Sequence, residues 1–214
     1  MFIPAGDYDG HMGPDGADQQ APLAAIFDEV YASARPSSVA LLGCATGNGL
    51  PAIDPALTPR IVGIDLNPEY LEVARQRHAD LGGALDLRCA DLLTCQLEAG
   101  AFALVHAALV FEHVDPAPLA ARIAGWLAPN GICSVVLQRE GGARSASPVA
   151  PSRFPNLQAL AGSMRLVAPD DLRRLFATHG LAELRSWEVP LRGDKAFYVG
   201  LYGQSSKQAL SFGE

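Results

Sequence analysis

The stretch that decides the fold is Ser38-Val39-Ala40-Leu41-Leu42-Gly43-Cys44-Ala45-Thr46-Gly47-Asn48-Gly49. It is a short apolar run that breaks into glycine. A run this short, without polar alternation, is the pattern of a strand buried on both faces. The small residues behind it let backbone approach a ligand closely. The residues after Gly49 are expected to open a helix, whose first N–H groups would face a carboxylate or phosphate.

Reading outward from this stretch, the same alternation repeats. Upstream, Leu23, Ile26, Phe27, Val30 and Tyr31 recur at helical spacing and Pro36 ends the stripe. Before them the first twenty residues, rich in Gly, Asp and Pro, read as an irregular N-terminal arm, with one domain over residues 21–214. Downstream, Arg60 to Asp65 (RIVGID) is a second strand. Asn67-Pro68-Glu69 then starts a helix with an Asn cap, Pro at the first position and an acid in the first turn, running to about Ala79. Ala84 to Cys89 and Phe102 to Ala108 are strands three and four. Pro116 to Leu127 is helical, Pro129-Asn130-Gly131 turns, and Ile132 to Leu137 is strand five. Such alternation means right-handed βαβ units and a parallel sheet covered on both faces.

The tail differs. Pro169 to Thr178 is a helix closed by His179-Gly180, and two strands follow without a helix between them, Ala182 to Pro190 and Ala196 to Tyr202. Arg192-Gly193-Asp194 suits a hairpin, so an antiparallel pair should close one sheet edge. Residues 139–168, rich in Gly, Ser, Pro and Arg, make a connection too long to be idle, and read as a substrate-covering segment.

Composition narrows the classes. Of 214 residues 49% are apolar and 18% charged, which is ample for a buried core. No apolar run is long enough to span a bilayer, and Met1-Phe2-Ile3-Pro4 lacks the basic start and apolar stretch of a signal peptide, so a cytoplasmic protein with no membrane partner is expected. A formal charge of −7, with scattered arginines and only Lys195 and Lys207 as lysines, speaks against nucleic acid. Cys44, Cys89, Cys95 and Cys133 form no CxxC pair, and neither they nor the five histidines have metal-ligand spacing. They are read as reduced thiols, with no metal.

The chemistry converges at one edge. Asp65 ends strand two, twenty-two positions after Gly43, where an acid can accept hydrogen bonds from both hydroxyls of a ribose. Asp91 follows strand three at the same edge. Ligands of open α/β sheets bind beyond the carboxyl ends of the strands, so the glycine loop, Asp65 and Asp91 share one crevice. Gly43, Gly47 and Gly49 also fit the GxxxGxG loop of short-chain dehydrogenases, but neither lysine has a tyrosine four positions earlier and a full helix precedes the loop. The GxGxxG pattern is absent.

From about Ala21 to Gly203 the sequence resembles the class I S-adenosylmethionine (SAM)-dependent methyltransferases, in particular the small type-11-like branch. The resemblance rests on LLGCATGNG (41–49), IVGIDLNPEYLEVAR (61–75), CADLL (89–93), FALVHAALVFEHV (102–114) and WLAPNGICSVVL (126–137). It implies a three-layer α/β sandwich with a seven-stranded, mostly parallel sheet of order 3-2-1-4-5-7-6 and an antiparallel last strand. It implies SAM as cofactor, with Gly43, Cys44, Ala45 and Gly47 under the methionine part. Asp65 would hold the ribose, Leu66 flank the adenine, Asp91 meet the adenine amino group with Leu92 beside it, and the backbone at His106 and Ala107 contact the methionine amino group. Two positions depart from the family pattern. Leu41 stands where an acid is usual, removing a partner for the methionine ammonium. Ala45 stands for the middle glycine, adding a Cβ.

Methyl transfer from a sulfonium needs alignment above all, and a base only where the acceptor loses a proton. His106, Glu112, His113 and Arg139 lie near the predicted crevice, and His106, His113 and Arg139 are the catalytic candidates. Glu112-His113-Val114 recurs in relatives with different substrates, so His113 is read as structural. Arg139 and Arg144 are candidates to pair with an acidic substrate; Arg153, Phe154 and Met164 are candidates for the substrate wall. The expected function is methyl transfer to a small-molecule acceptor, covered by residues 139–168 and by the arm from Asp7 to Met12. The alternative is a catalytically degenerate binding protein of the same fold, for which Leu41 and Ala45 speak.

Overall fold

The computed structural model describes residues 3–140 and 164–204. Its seven strands are β1 (Ser38–Leu42), β2 (Arg60–Asp65), β3 (Leu85–Cys89), β4 (Phe102–Ala108), β5 (Leu127–Glu140), β6 (Leu181–Pro190) and β7 (Lys195–Gln204). They form one sheet of order β3-β2-β1-β4-β5-β7-β6, in which β7 runs antiparallel to both β5 and β6. The sheet order and the antiparallel edge expected above are both present. The hairpin closes through Leu191 N–H donating to the Lys195 carbonyl.

The helices are α1 (Ala5–Met12), α2 (Gln20–Ala34), α3 (Pro68–Arg77), α4 (Pro116–Trp126) and α5 (Pro169–Ala177). All five residues of β1 are buried, because the strand is covered on both faces. Val39 and Leu41 join a core with Leu23, Phe27 and Val30 of α2 and Leu71 of α3. Ala40 and Leu42 join the opposite core, with Ile123 of α4 and Phe176 of α5. The three layers follow directly from this alternation.

Local chemistry sets the ends of the elements. Asn67 caps α3, its Oδ1 accepting from Glu69 N–H at 3.0 Å, with Pro68 at the first position. Asp115 does the same for α4, accepting from Ala117 N–H ahead of Pro116. Arg35 takes a left-handed conformation (φ 43°) that ends α2 just before Pro36. β5 begins five residues before the expected strand: its register against β4 jumps from Phe102–Leu127 to Leu104–Ile132, and Asn130 at φ 63° makes the expected turn inside the strand.

Two expectations are corrected. No α-helix follows Gly49; a 3-10 turn at Leu50–Ala52 stands there instead. Pro51, Pro55 and Pro59 explain it, because each lacks an N–H and disfavours helical backbone in the residue before it. The arm is also not irregular throughout, since residues 5–12 form α1 despite Gly6 and Gly10. Tertiary contacts outweigh its poor propensity. Ala5 N–H donates to Glu69, the Ile3 carbonyl accepts from Asn67 Nδ2, and Asp9 accepts from both Thr46 and Arg77. Residues 141–163 of the substrate-covering segment lie outside the described residues, and with them Arg144, Arg153 and Phe154.

Candidate functional site

Parallel strands place the ends of β1, β2, β3 and β4 at one edge, and a cavity of about 330 Å³ opens there. The loop after β1 winds through positive φ at Gly43 (63°), Ala45 (46°), Gly47 (106°) and Gly49 (88°). Glycine is required at two of these on space as well. A Cβ at Gly43 would stand 2.9 Å from Val110 Cγ2, and one at Gly47 would stand 2.6 Å from His78 Nε2. Ala45 occupies its left-handed position with its methyl packed against Ala5 and Tyr70. The Cβ foreseen as a departure is thus housed by α1 and α3.

Asp65 holds this loop. Its Oδ2 accepts from Ala45 N–H and its Oδ1 from Asn67 N–H, both at 2.9 Å. Burial raises its pKa above the ordinary carboxylate value, and the backbone bonds from Asn67, Ala45 and Leu66 pull against that rise. With about four acceptor sites, the carboxylate keeps capacity for a ligand beside these backbone bonds. Leu66 beside it is 54% exposed, and Leu92 is buried across the opening. Asp91 turns its own backbone, accepting from Leu93 N–H at 2.8 Å. Tyr8 of α1 lies over Tyr70 of α3 with ring centroids 5.0 Å apart, so the arm closes the Asp65 side of the cavity.

On the far side stands His106. Its Nδ1 is 3.1 Å from Ser134 Oγ, and Phe27 meets its ring edge-on. Burial lowers its pKa to about 4, so the imidazole is neutral at pH 7. Leu41 is its register partner on β1. The place of the usual acid is therefore apolar and faces a neutral ring.

Of the residues singled out in the sequence, Gly43, Cys44, Ala45, Asp65, Leu66, Asp91, Leu92, His106, His113 and Met164 line the cavity. Gly47 does not; it supports the loop from behind, against His78. Ala107 does not either, because strand alternation turns its side chain into the α4 core. Arg139 lies off the cavity and pairs with Glu188 of β6 at 3.7 Å. Glu112 is buried behind the wall, its Oε1 accepting from the Gln138 N–H at 2.7 Å. Gln19, Tyr70 and Gln138 line the cavity without standing out in the sequence. Tyr70 is within reach of sequence reasoning, one turn into the helix that Asn67 caps. Gln19 and Gln138 are not, because 119 positions separate the two halves of their hydrogen bond.

A family model described as "Methyltransferase domain" matches residues 41–135. No curated protein matches the chain. Among solved structures, the N-methyltransferase NodS from Bradyrhizobium japonicum WM9, in complex with S-adenosylhomocysteine (SAH), is 16% identical, with a TM-score of 0.68 over 93% of this chain and 92% of its own. Geranyl diphosphate C-methyltransferase from Streptomyces coelicolor A3(2), with Mg2+, geranyl diphosphate and SAH, is 12% identical, with a TM-score of 0.62 over 78% of this chain and 72% of its own. The [4+2]-cyclase SpnF is 16% identical, with a TM-score of 0.63 over 85% of this chain and 81% of its own. At these identities the likeness is one of fold. Residues 41–135 match the methyltransferase-domain family model, and the chain has the Rossmann-like fold of the class I SAM-dependent methyltransferases.

Proposed function

We propose that the cavity binds SAM and that the protein transfers its methyl group to a small-molecule acceptor. The observation that carries this reading is Asp65: a half-buried carboxylate at the end of β2, on the same cavity as the Gly43–Ala45 loop, Asp91 and His106. The donor set fits the cofactor. Asp65 keeps acceptor capacity for a ribose hydroxyl, Leu66 and Leu92 offer apolar faces to a purine, and Asp91 offers an acceptor to its amino group. Gly43 brings backbone close, where a side chain would collide with Val110.

Bound SAM supplies an activated methyl on a sulfonium. The chain's own work is positioning and exclusion of water. The Ala45–Asp65 bond holds the loop, Tyr8 and Tyr70 cover the Asp65 side, and His106 stands neutral against the apolar wall at Leu41. Among the described cavity residues His11, His106 and His113 are the imidazoles, and burial lowers the pKa of each, that of His106 to about 4. Arg139, held by Glu188, is not proposed as catalytic.

A second reading is a protein that binds the cofactor or another ligand without methyl transfer. Leu41 in the place of the acid favours it, and the cyclase among the fold's neighbours gives it precedent. Calorimetric titration with SAM and SAH tests the site. One-site binding that disappears in Asp65→Ala, with the variant still folded by circular dichroism, is the expected result; affinity retained without Asp65 sinks the assignment. A labelled methyl group recovered on any acceptor disposes of the second reading.

A further inference from the structure

The half of the cavity away from Asp65 has a polarity of its own. His11 of α1, Gln19 ahead of α2, Gln138 of β5 and His106 of β4 all line it, and each is at least 94% buried. Gln19 Nε2 donates to Gln138 Oε1 across 3.3 Å. His11 Nδ1 is buried and has no hydrogen-bond partner among the described residues. A buried polar atom left unpaired costs about 1–3 kcal/mol, and such atoms call for a partner. The rest of this half is apolar, with Phe27, Leu23, Met12 and Met164 on its walls.

Among the described residues that line this half, the polar groups named are uncharged near neutral pH. The amides carry no charge. Burial holds His106 neutral, and burial together with the positive charge of Lys195 lowers the pKa of His11. Asp65 and Asp91 sit on the opposite half, and Arg139 is engaged by Glu188. Lys195 acts on His11 from outside the cavity lining, and among the described lining residues of this half an anionic or cationic acceptor would exchange its hydration for neutral dipoles, which repay little of the desolvation cost. A molecule with a flat apolar body meets Phe27 and two methionines, whose thioethers pack well against aromatic rings.

We infer that this half of the cavity is an acceptor subsite for an uncharged aromatic alcohol of the phenol type, whose hydroxyl hydrogen-bonds to His11 beside the Gln19–Gln138 pair. The inference rests on the methyltransferase reading and names its substrate class.

The test uses full-length protein saturated with SAH and four probes of one shape: p-cresol, 4-methylbenzoate, 4-methylbenzylammonium and p-xylene, each titrated by NMR. The expected order puts p-cresol about tenfold or more ahead of both ions, the ratio that roughly 1.4 kcal/mol confers. In His11→Phe, p-cresol should fall to the level of p-xylene while p-xylene itself is unchanged. His11→Asn, which keeps a polar atom near the Nδ1 position, should recover part of the difference. Retained SAH affinity shows that the variants are folded. Either ion binding as well as p-cresol, or p-cresol binding equally to wild type and His11→Phe, overturns the acceptor assignment alone. Failure of the wild type to bind SAH overturns the methyltransferase reading and this inference with it.

Discussion

The Ala45 amide donates to the Asp65 carboxylate across 2.9 Å, so the residue proposed to hold a ribose also holds the loop after β1. The bond joins the ends of β1 and β2 and keeps Ala45 at a φ of 46°. Loop shape and the proposed ligand recognition are therefore coupled through one side chain.

Glycine at position 45 should change stability little. Relief of the left-handed conformation gains about 1 kcal/mol, while loss of a methyl packed on Ala5 and Tyr70 costs about 0.8 kcal/mol. Ala45→Gly is therefore expected within about 0.5 kcal/mol of wild type in urea unfolding. Ala45→Val should lose about 2 kcal/mol or more, since a β-branched residue is strained at positive φ and overfills the contact. A neutral valine variant would show that the loop does not keep this conformation.

Restoring the acid usual at position 41 should expose the missing charge. Leu41 is buried beside His106, and a glutamate there has no described cation to meet. Leu41→Glu is expected to destabilise the ligand-free protein by about 3 kcal/mol or more. The ammonium of SAH would then supply a partner, so SAH should raise the melting temperature of the variant more than that of wild type. Equal shifts would place the methionine end elsewhere.

Glu112 sets a pH window. Burial raises its pKa from 4.5 to about 7, opposed by the Gln138 backbone bond, and its Oε2 has no partner among the described residues. A raised carboxyl pKa means that the folded protein binds the proton more tightly than the unfolded chain. The associated stability is complete below pH 4.5 and is lost as pH rises through 7. The shift corresponds to about 3 kcal/mol. Glu112→Gln keeps an acceptor for the Gln138 N–H and cannot ionise. Its stability relative to wild type, from urea unfolding at pH 4.5 to 8, should grow with pH over that window. A constant difference would mean that Glu112 does not titrate there.

Gly47 carries both a conformational and a steric demand. Its φ is 106°, and a Cβ added to it would meet His78 Nε2 at 2.6 Å. Gly47→Ala should therefore cost about 2 kcal/mol in urea unfolding. Adding His78→Ala should recover the steric part and leave the conformational part. Full recovery would show that the backbone is free to relax.

Elements set by neighbouring residues are legible in the sequence alone. β1 follows from five apolar residues ending in glycine, and α3 from Asn67-Pro68-Glu69. The stripe Leu23, Ile26, Phe27, Val30, Tyr31 marks the buried face of α2. The turn after Gly49 departs from the helix that the glycine loop suggests, and Pro51, Pro55 and Pro59 account for the departure. Asp65 stands out because strand ends of a parallel sheet share an edge.

The sequence by itself determined the strands, the glycine loop and the acid beside it, because hydrogen-bonding and steric rules of that kind act between near neighbours. Only the tertiary structure decided that Gly6 and Gly10 sit in a helix, and that Ala45 has its methyl housed. It alone brought His11, Gln19 and Gln138 to one wall. Those outcomes depend on contacts between residues far apart in the chain, as between Ala5 and Glu69, 64 positions apart, or Gln19 and Gln138, 119 apart, which no local pattern encodes.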